Sequence, residues 1–386
     1  MKTLKRVIVA FLIIVVSLSA LFLITSVSLA ETDPNADIKS SEENELTEKS
    51  GWVEENDSTY YYIDGEKVIS QLLEIDGKKY YFGKDGAMYS KRLISVSGKK
   101  YYMGSDGAAY TKRLISVSGK KYYMGADGVA YTSRLISVSG KKYYMGKDGI
   151  AYTSRLISVS GKKYYMGSDG VAYTSRLISV DGKKYYMGSD GIAYKSRLIS
   201  VSGKKYYMGK DGVAYKSKLI SVNNKKYYIG SDCVAYKSRF ASLSGKKYFF
   251  GADCVMRKGW QMIDYREYYF NADTGVMLTG KQTIGGKTYV FNTNGPLIYN
   301  FRSTNLLNDH FKKHGADTYS KSAAEYLQKA NAVINNLNAL AKLETDEGDG
   351  DRVFYLEETD EIVFVSADDY IRTYFVCSGR YYFDKQ

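Results

Sequence analysis

Arg155–Ser175 reads RLISVSGKKYYMGSDGVAYTS, and its punctuation is that of a β-hairpin. Leu156-Ile157-Ser158-Val159 is a short β-branched run, Ser160-Gly161 a two-residue turn, and Lys162–Met166 a second extended run. Gly167-Ser168-Asp169-Gly170 then turns the chain again, since Asp-Gly readily supplies the positive φ of a tight turn, and Val171-Ala172-Tyr173 leads onward. A lone hairpin of this size cannot bury a face, so it must stack on neighbours.

Neighbours are present, because from Arg92 the unit recurs every 21 residues with little change. Its tyrosine pair falls at Tyr101-Tyr102, Tyr122-Tyr123, Tyr143-Tyr144, Tyr164-Tyr165, Tyr185-Tyr186, Tyr206-Tyr207 and Tyr227-Tyr228. Tyr80-Tyr81 precedes these and Tyr248-Phe249 follows. Diverged copies near Tyr61-Tyr62, Tyr268-Tyr269 and Tyr289 bring the number to twelve. A fixed short period of this kind means an array. The fold class expected is mostly β: an elongated solenoid of tandem β-hairpins over 51–300, then a small α+β domain over 301–386. With so few leucines per unit, most tyrosines should form the core between repeats, while some ring faces stay open to stack on a sugar or clamp a cationic head group.

The ends of the chain set the context. Lys2, Lys5 and Arg6 precede an apolar run from Val7 to Ile24, and Ser28-Leu29-Ala30 precedes Glu31, the order of a secretory signal over 1–30 cleaved after Ala30. The run is also long enough for an uncleaved anchor; after cleavage no stable membrane insertion is expected. Residues 31–50 are acidic and almost free of large apolar groups, hence a flexible linker. The formal net charge of +13 becomes +10 without the signal. Residues 31–50 and 301–386 each carry −5, so the repeats carry +20. Outside a cell that field favours envelope polyanions, teichoic acids or acidic glycans, through an attraction that salt weakens. Three cysteines are too few for a disulfide framework. Cys233 and Cys254 hold the same place in successive repeats, where a tolerated substitution is favoured over a bridge.

The array resembles the cell-wall-binding repeat superfamily, which includes choline-binding and glucan-binding modules. The likeness rests on Gly51-Trp52 with Tyr60 to Gly65 and on Gly259-Trp260 with Tyr268-Tyr269-Phe270. Central copies have Arg-Leu in place of Gly-Trp, as at Arg155-Leu156, and lysine where a second tryptophan often precedes the tyrosine pair, as at Lys163. The resemblance implies carbohydrate or wall binding by Trp52, Trp260, Tyr143, Tyr144, Tyr164, Tyr165, Tyr185 and Tyr186. Without central tryptophans the expected ligand there is an anionic or neutral glycan, or teichoic acid, with Lys162 and Lys163 supplying charge. The localisation implied is the surface of a Gram-positive-like cell.

After about Tyr299 the composition changes. Asn305–His314 reads as a helix closed by Gly315. Ser322 with Glu325 forms a capping box, followed at helical spacing by Tyr326, Leu327, Ala330, Val333, Ile334, Leu337, Leu340 and Ala341. Strand-like runs follow at Val353–Leu356, Ile362–Val365, Tyr370–Val376 and Tyr381–Phe383, giving helices first and an antiparallel sheet after. His310 and His314, the two histidines of the chain, sit four apart on one helical face. They could serve a metal, the structure or proton transfer. No convincing third ligand accompanies them, so no metal and no cofactor is expected. Leu343–Asp351, LETDEGDGD, lacks the terminal glutamate of a calcium loop and reads as a solvated turn.

HFKKHG at His310–Gly315, SAAEYL at Ser322–Leu327, the Gly350-Asp351 segment and IRTYF at Ile371–Phe375 occur in order. This combination resembles the barnase, EndoU, colicin E5/D and RelE-like nucleases at the C-termini of phage and polymorphic toxins. The resemblance implies catalytic roles for His310, Lys313, His314, Arg372 and Thr373 in metal-independent RNA cleavage. A histidine would take the 2′-hydroxyl proton, Arg372 and Lys313 would hold the phosphate, and Thr373 would donate to a phosphate oxygen. Val376-Cys377 stands where that family continues with Lys-Pro. Two functions follow: a secreted, wall-binding protein presenting an RNase toxin, with RNA as target and an immunity protein as partner, or a non-catalytic glycan- or teichoic-acid-binding surface protein with a degenerate nuclease-like domain.

Overall fold

The structure, a computed structural model, describes residues 49–345 and 350–386. The expected signal sequence, nearly all of the expected linker and the middle of the Glu344–Asp351 stretch lie outside the described residues.

Within 51–291 the chain forms twelve antiparallel hairpins among the described residues, the first from Gly51 to Ile63 and the twelfth from Gly280 to Phe291. The sixth shows the rule. Arg155–Val159 pairs with Lys162–Met166, Leu156 opposite Tyr165 and Ile157 opposite Tyr164. Ser160 at φ 48° and Gly161 at φ 74° give both central residues of the turn the left-handed backbone that matches strand twist. The second turn is closed by Asp169, whose Oδ1 accepts from the Val171 amide at 3.0 Å. The chain then comes back on itself, with Ala172 bridged to Met166 and its amide donating to the Lys142 carbonyl of the preceding hairpin at 2.9 Å.

Every hairpin but the first, which adds Glu66–Lys67 as a third strand, is a two-stranded sheet of its own, so stability comes from stacking. Strand alternation sends Tyr164 and Met166 inward, where with Ala172 they are buried against Leu135, Tyr144, Tyr152 and Ile192 of adjacent units. Equivalent clusters recur along the array. Cys233 and Cys254 take the place of the turn glycine and are free thiols at φ 71° and 70°.

The C-terminal region is α+β, with three corrections to its expected elements. Its sheet has five strands, in the order Asn300–Phe301, Tyr370–Val376, Glu361–Val365, Arg352–Leu356, Leu340–Leu343, and the first pairing is parallel. Helix α1 spans Thr304–His314 and α2 spans Ala323–Asn335. Leu337, Leu340 and Ala341 therefore lie beyond α2. Asparagine bonds its own backbone better than it continues a helix: Asn336 caps α2 with extended ψ, and its Oδ1 accepts from the Asn338 amide. Tyr381–Phe383 belongs to a short helix, α3 (Arg380–Lys385), instead of a strand. It starts at Gly379, φ 93°, and lays Phe383 parallel to Tyr355 at 5.3 Å, covering the sheet face opposite α2.

The last hairpins are welded to this region. Phe291, Leu297 and Tyr299 share one buried cluster with Tyr326, Val333 and Phe354. Arg266, 3% exposed, donates to the carbonyls of Ile334 in the last turn of α2 and of Asn336 and Ala339 just after it. Arg352 donates to the Tyr299 hydroxyl at 3.0 Å and pairs with Asp369.

Candidate functional site

Two sets of three rings stand at the ends of the array. Trp52 meets Tyr61 at 5.0 Å and Tyr80 of the next hairpin at 4.7 Å, edge to face at 73° and 75°. Trp260 repeats this with Tyr269 at 5.1 Å and Tyr289 at 4.9 Å, at 73° and 70°. Buried Phe82 and Phe291 form the floors. The tryptophans remain 42% and 38% exposed, so each set is an aromatic box with a solvent-facing side.

The central junctions are built from the same positions and closed. Between hairpins six and seven the walls are Leu156, Tyr165 and Tyr185, and Tyr173 packs into the cluster beside them. Tyr173 lies 5.1 Å from Tyr165, and the Arg176 guanidinium stands over its ring at 4.5 Å. At the tryptophan boxes the residue in Tyr173's place is Val68 or Leu278, each bonding its amide to the adjacent strand tyrosine carbonyl in the same way. By strand register, Gln71 or Gly280 replaces the arginine. Hairpin ten has a third ring set, Phe240 with Phe249 at 4.8 Å and Tyr268 at 5.4 Å. There Arg257, ion-paired to Asp253, holds the loop position.

The structure divides the residues named from sequence. Trp52 and Trp260 are box walls. Tyr143, Tyr164 and Tyr185 are 5–6% exposed and belong to the inter-repeat core, a correction for rings expected to face a ligand. Burial pushes their phenol pKa values up, with Asp169, Asp190 and Asp211 respectively adding to the effect. Tyr144, Tyr165 and Tyr186 are half-buried and lean on loop tyrosines. Lys162 is exposed, whereas Lys163 donates to the Asp211 carbonyl two repeats on at 2.7 Å and is part of the scaffold. Sequence reasoning missed Tyr61, Tyr80, Tyr269 and Tyr289 as walls, and missed the arginine stacks. The signal was present in the joint exchange of Gly-Trp for Arg-Leu and of Val68 or Leu278 for tyrosine.

In the C-terminal region His310 and His314 do share a face of α1, with rings 6.1 Å apart; His310 lies against Phe301 and His314 against Phe375. Burial, then the neighbouring His314 and Lys313 charges, lowers the His310 pKa, and burial with Lys313 lowers that of His314. Lys313 is exposed. Arg372 Nε lies 2.9 Å from Oδ2 of Asp351, a fully buried carboxylate, and Thr373 sits opposite Phe364 in the sheet. Cys377 is half-buried, its thiol pKa raised by burial. Among the described residues no group of three or more His, Cys, Asp or Glu is placed to hold a metal ion.

The repeats now meet known families. Residues 70–88, 92–109, 113–130, 154–172, 175–193 and 196–214 match the family described as "Putative cell wall binding repeat", and residues 238–281 match "Choline-binding repeat". Over those residues the chain is similar to cell-wall-binding repeats of the choline-binding type. Such repeats associate a protein with a cell surface, and among the described residues no helix is long and apolar enough to cross a membrane. The modular autolysin LytC from Streptococcus pneumoniae, solved in complex with a synthetic peptidoglycan ligand, is 19% identical at a TM-score of 0.45, over 68% of this chain and 59% of that one. This chain thus spans about three fifths of the length of the autolysin. Choline binding protein F from the same organism is 25% identical at a TM-score of 0.37, over 66% of this chain and 95% of its own. No curated protein matches the chain in sequence.

Proposed function

We propose that this is a secreted surface protein attached to a Gram-positive-like wall through quaternary ammonium groups on a wall polymer, such as a choline-bearing teichoic acid. The observation that carries the reading is the pair of open boxes, Trp52 with Tyr61 and Tyr80, and Trp260 with Tyr269 and Tyr289. A solvent-facing cluster of three aromatic rings suits a desolvated cation that offers no hydrogen bond, and tryptophan is the strongest partner for it. The +20 charge of the repeats adds attraction to the polymer's phosphates. The experiment is sedimentation of the mature chain with walls, followed by elution at constant ionic strength. Choline chloride should release it, and sodium chloride at the same strength should release much less. Release by both salts equally would replace this reading with a purely electrostatic one.

A second reading, metal-independent RNA cleavage by the C-terminal region, is favoured by the two imidazoles on one face of α1, with His314 stacked on the strand that carries Arg372 and Thr373. The Arg372–Asp351 pair weighs toward the degenerate form, since it spends the phosphate clamp on an internal carboxylate. The test is inducible cytoplasmic expression of the chain from residue 31. Toxicity and RNA loss relieved by His314→Ala would support cleavage. Normal growth with soluble protein would leave a binding protein.

A further inference from the structure

The boxes and the closed junctions are alternative fillings of one site. In the boxes, Trp52 or Trp260 stands beside Val68 or Leu278, and the next strand opens with Gln71 or Gly280. At the eight junctions where leucine replaces tryptophan, the loop residue is always tyrosine and the next strand always opens with a cation. The Tyr–Tyr centroid distances are 4.8–5.2 Å, and the cation stands 4.3–4.6 Å above the loop tyrosine. Leu156, Tyr173 and Arg176 and their equivalents in the other units change together or not at all. Losing the tryptophan removes one wall of an ammonium site, the loop tyrosine fills the space, and the chain's own guanidinium or ammonium then takes up a ring face.

We propose that the loop tyrosine and the following cation are an internal ligand, and that the protein is therefore a bivalent reader of quaternary ammonium groups, its two sites held at opposite ends of a self-filled spacer. This rests on the boxes being ammonium sites. The phenylalanine set at Phe240 does not add a third, because the Arg257 charge already occupies its loop position and phenylalanine is a weaker cation partner than tryptophan. The spacer has a function in this scheme. Two sites on one folded array engage a repeating polymer with an effective concentration set by their separation, so avidity is gained only on polymers long enough to reach both.

The test is equilibrium dialysis of the mature chain against labelled choline, with far-UV circular dichroism to confirm folding. Wild type should bind two cholines. Leu156→Trp with Tyr173→Val and Arg176→Gln, which copies the first box into the sixth junction, should bind three. The converse variant, Trp52→Leu with Val68→Tyr and Gln71→Arg, should bind one. Wild-type binding near the number of repeats would overturn the inference, as would folded variants that both keep two. A wild type that binds none would sink the ammonium reading itself, and this inference with it.

Discussion

Lys163 Nζ donates to the carbonyl of Asp211, 48 residues away, at 2.7 Å, so a side chain of one repeat is fastened to the turn of its second neighbour. The same bond recurs from Lys79 to Asp127 through Lys205 to Asp253. On its way each of these lysines after Lys79 passes over a core tyrosine, Lys163 at 5.3 Å from the Tyr185 ring. The two lysines of a pair thus have different duties. Lys163→Gln should lower the array's thermal stability by roughly 0.5–1.5 kcal/mol. Lys162→Gln should leave the melting curve in place and weaken wall binding only at low salt. Equal melting shifts for the two would contradict this division.

Arg266 stands where most other repeats have the first lysine, and it has been turned from solvent to three carbonyls at the C-terminal end of α2 and just beyond it. Arg266→Ala should strand those carbonyls and destabilise the C-terminal region by roughly 2–4 kcal/mol, read as earlier proteolysis after residue 301 with the central repeats intact. For the same reason a fragment cut at residue 301 should fold poorly, having lost Tyr299 and Phe291 from its core. Equal protease resistance of variant and wild type would show that the two regions are joined only by the chain.

Glu267 gives this junction a pH dependence. Burial, then the Asp369 carboxylate, pushes its pKa up from 4.5 to about 7 against the opposing pull of Arg352. A carboxyl that holds its proton more tightly when folded stabilises fully below its unfolded pKa, and that stability is lost as pH rises through the folded one. The junction should therefore weaken between about pH 5 and 8, by roughly 1–3 kcal/mol. Thermal melts across that range should show it, and Glu267→Gln should flatten the slope. A wild-type melt that rises over the same interval would reverse the sign of this argument.

Most of the array was legible in the sequence because its determinants are local. Ser160-Gly161 and Asp169-Gly170 specify turns, and the alternation of Lys162–Met166 specifies a face, without reference to distant residues. Lys163 and Arg176 were not legible, because a lysine written next to Lys162 gives no sign that its partner lies two repeats on, and an arginine before leucine reads as solvated charge. In the C-terminal region α1 and the start of α2 carry their own caps, Ser303 and Ser322. Tyr381–Phe383 was misleading because its aromatic run has strand propensity, and only packing under Tyr355 makes it helical. The two-residue strand Asn300–Phe301 exists through its parallel partner alone.

Trp52 and Trp260 are the two tryptophans of the entire chain, so indole emission reports on the boxes and nothing else. The decisive measurement is a fluorescence titration of the mature protein with choline chloride at fixed ionic strength. A saturable change in emission is expected, with about half the amplitude remaining in Trp52→Phe or in Trp260→Phe, and with release from walls following the same concentration dependence. Emission that stays constant while choline elutes the protein from walls would place the binding site elsewhere and contradict the account.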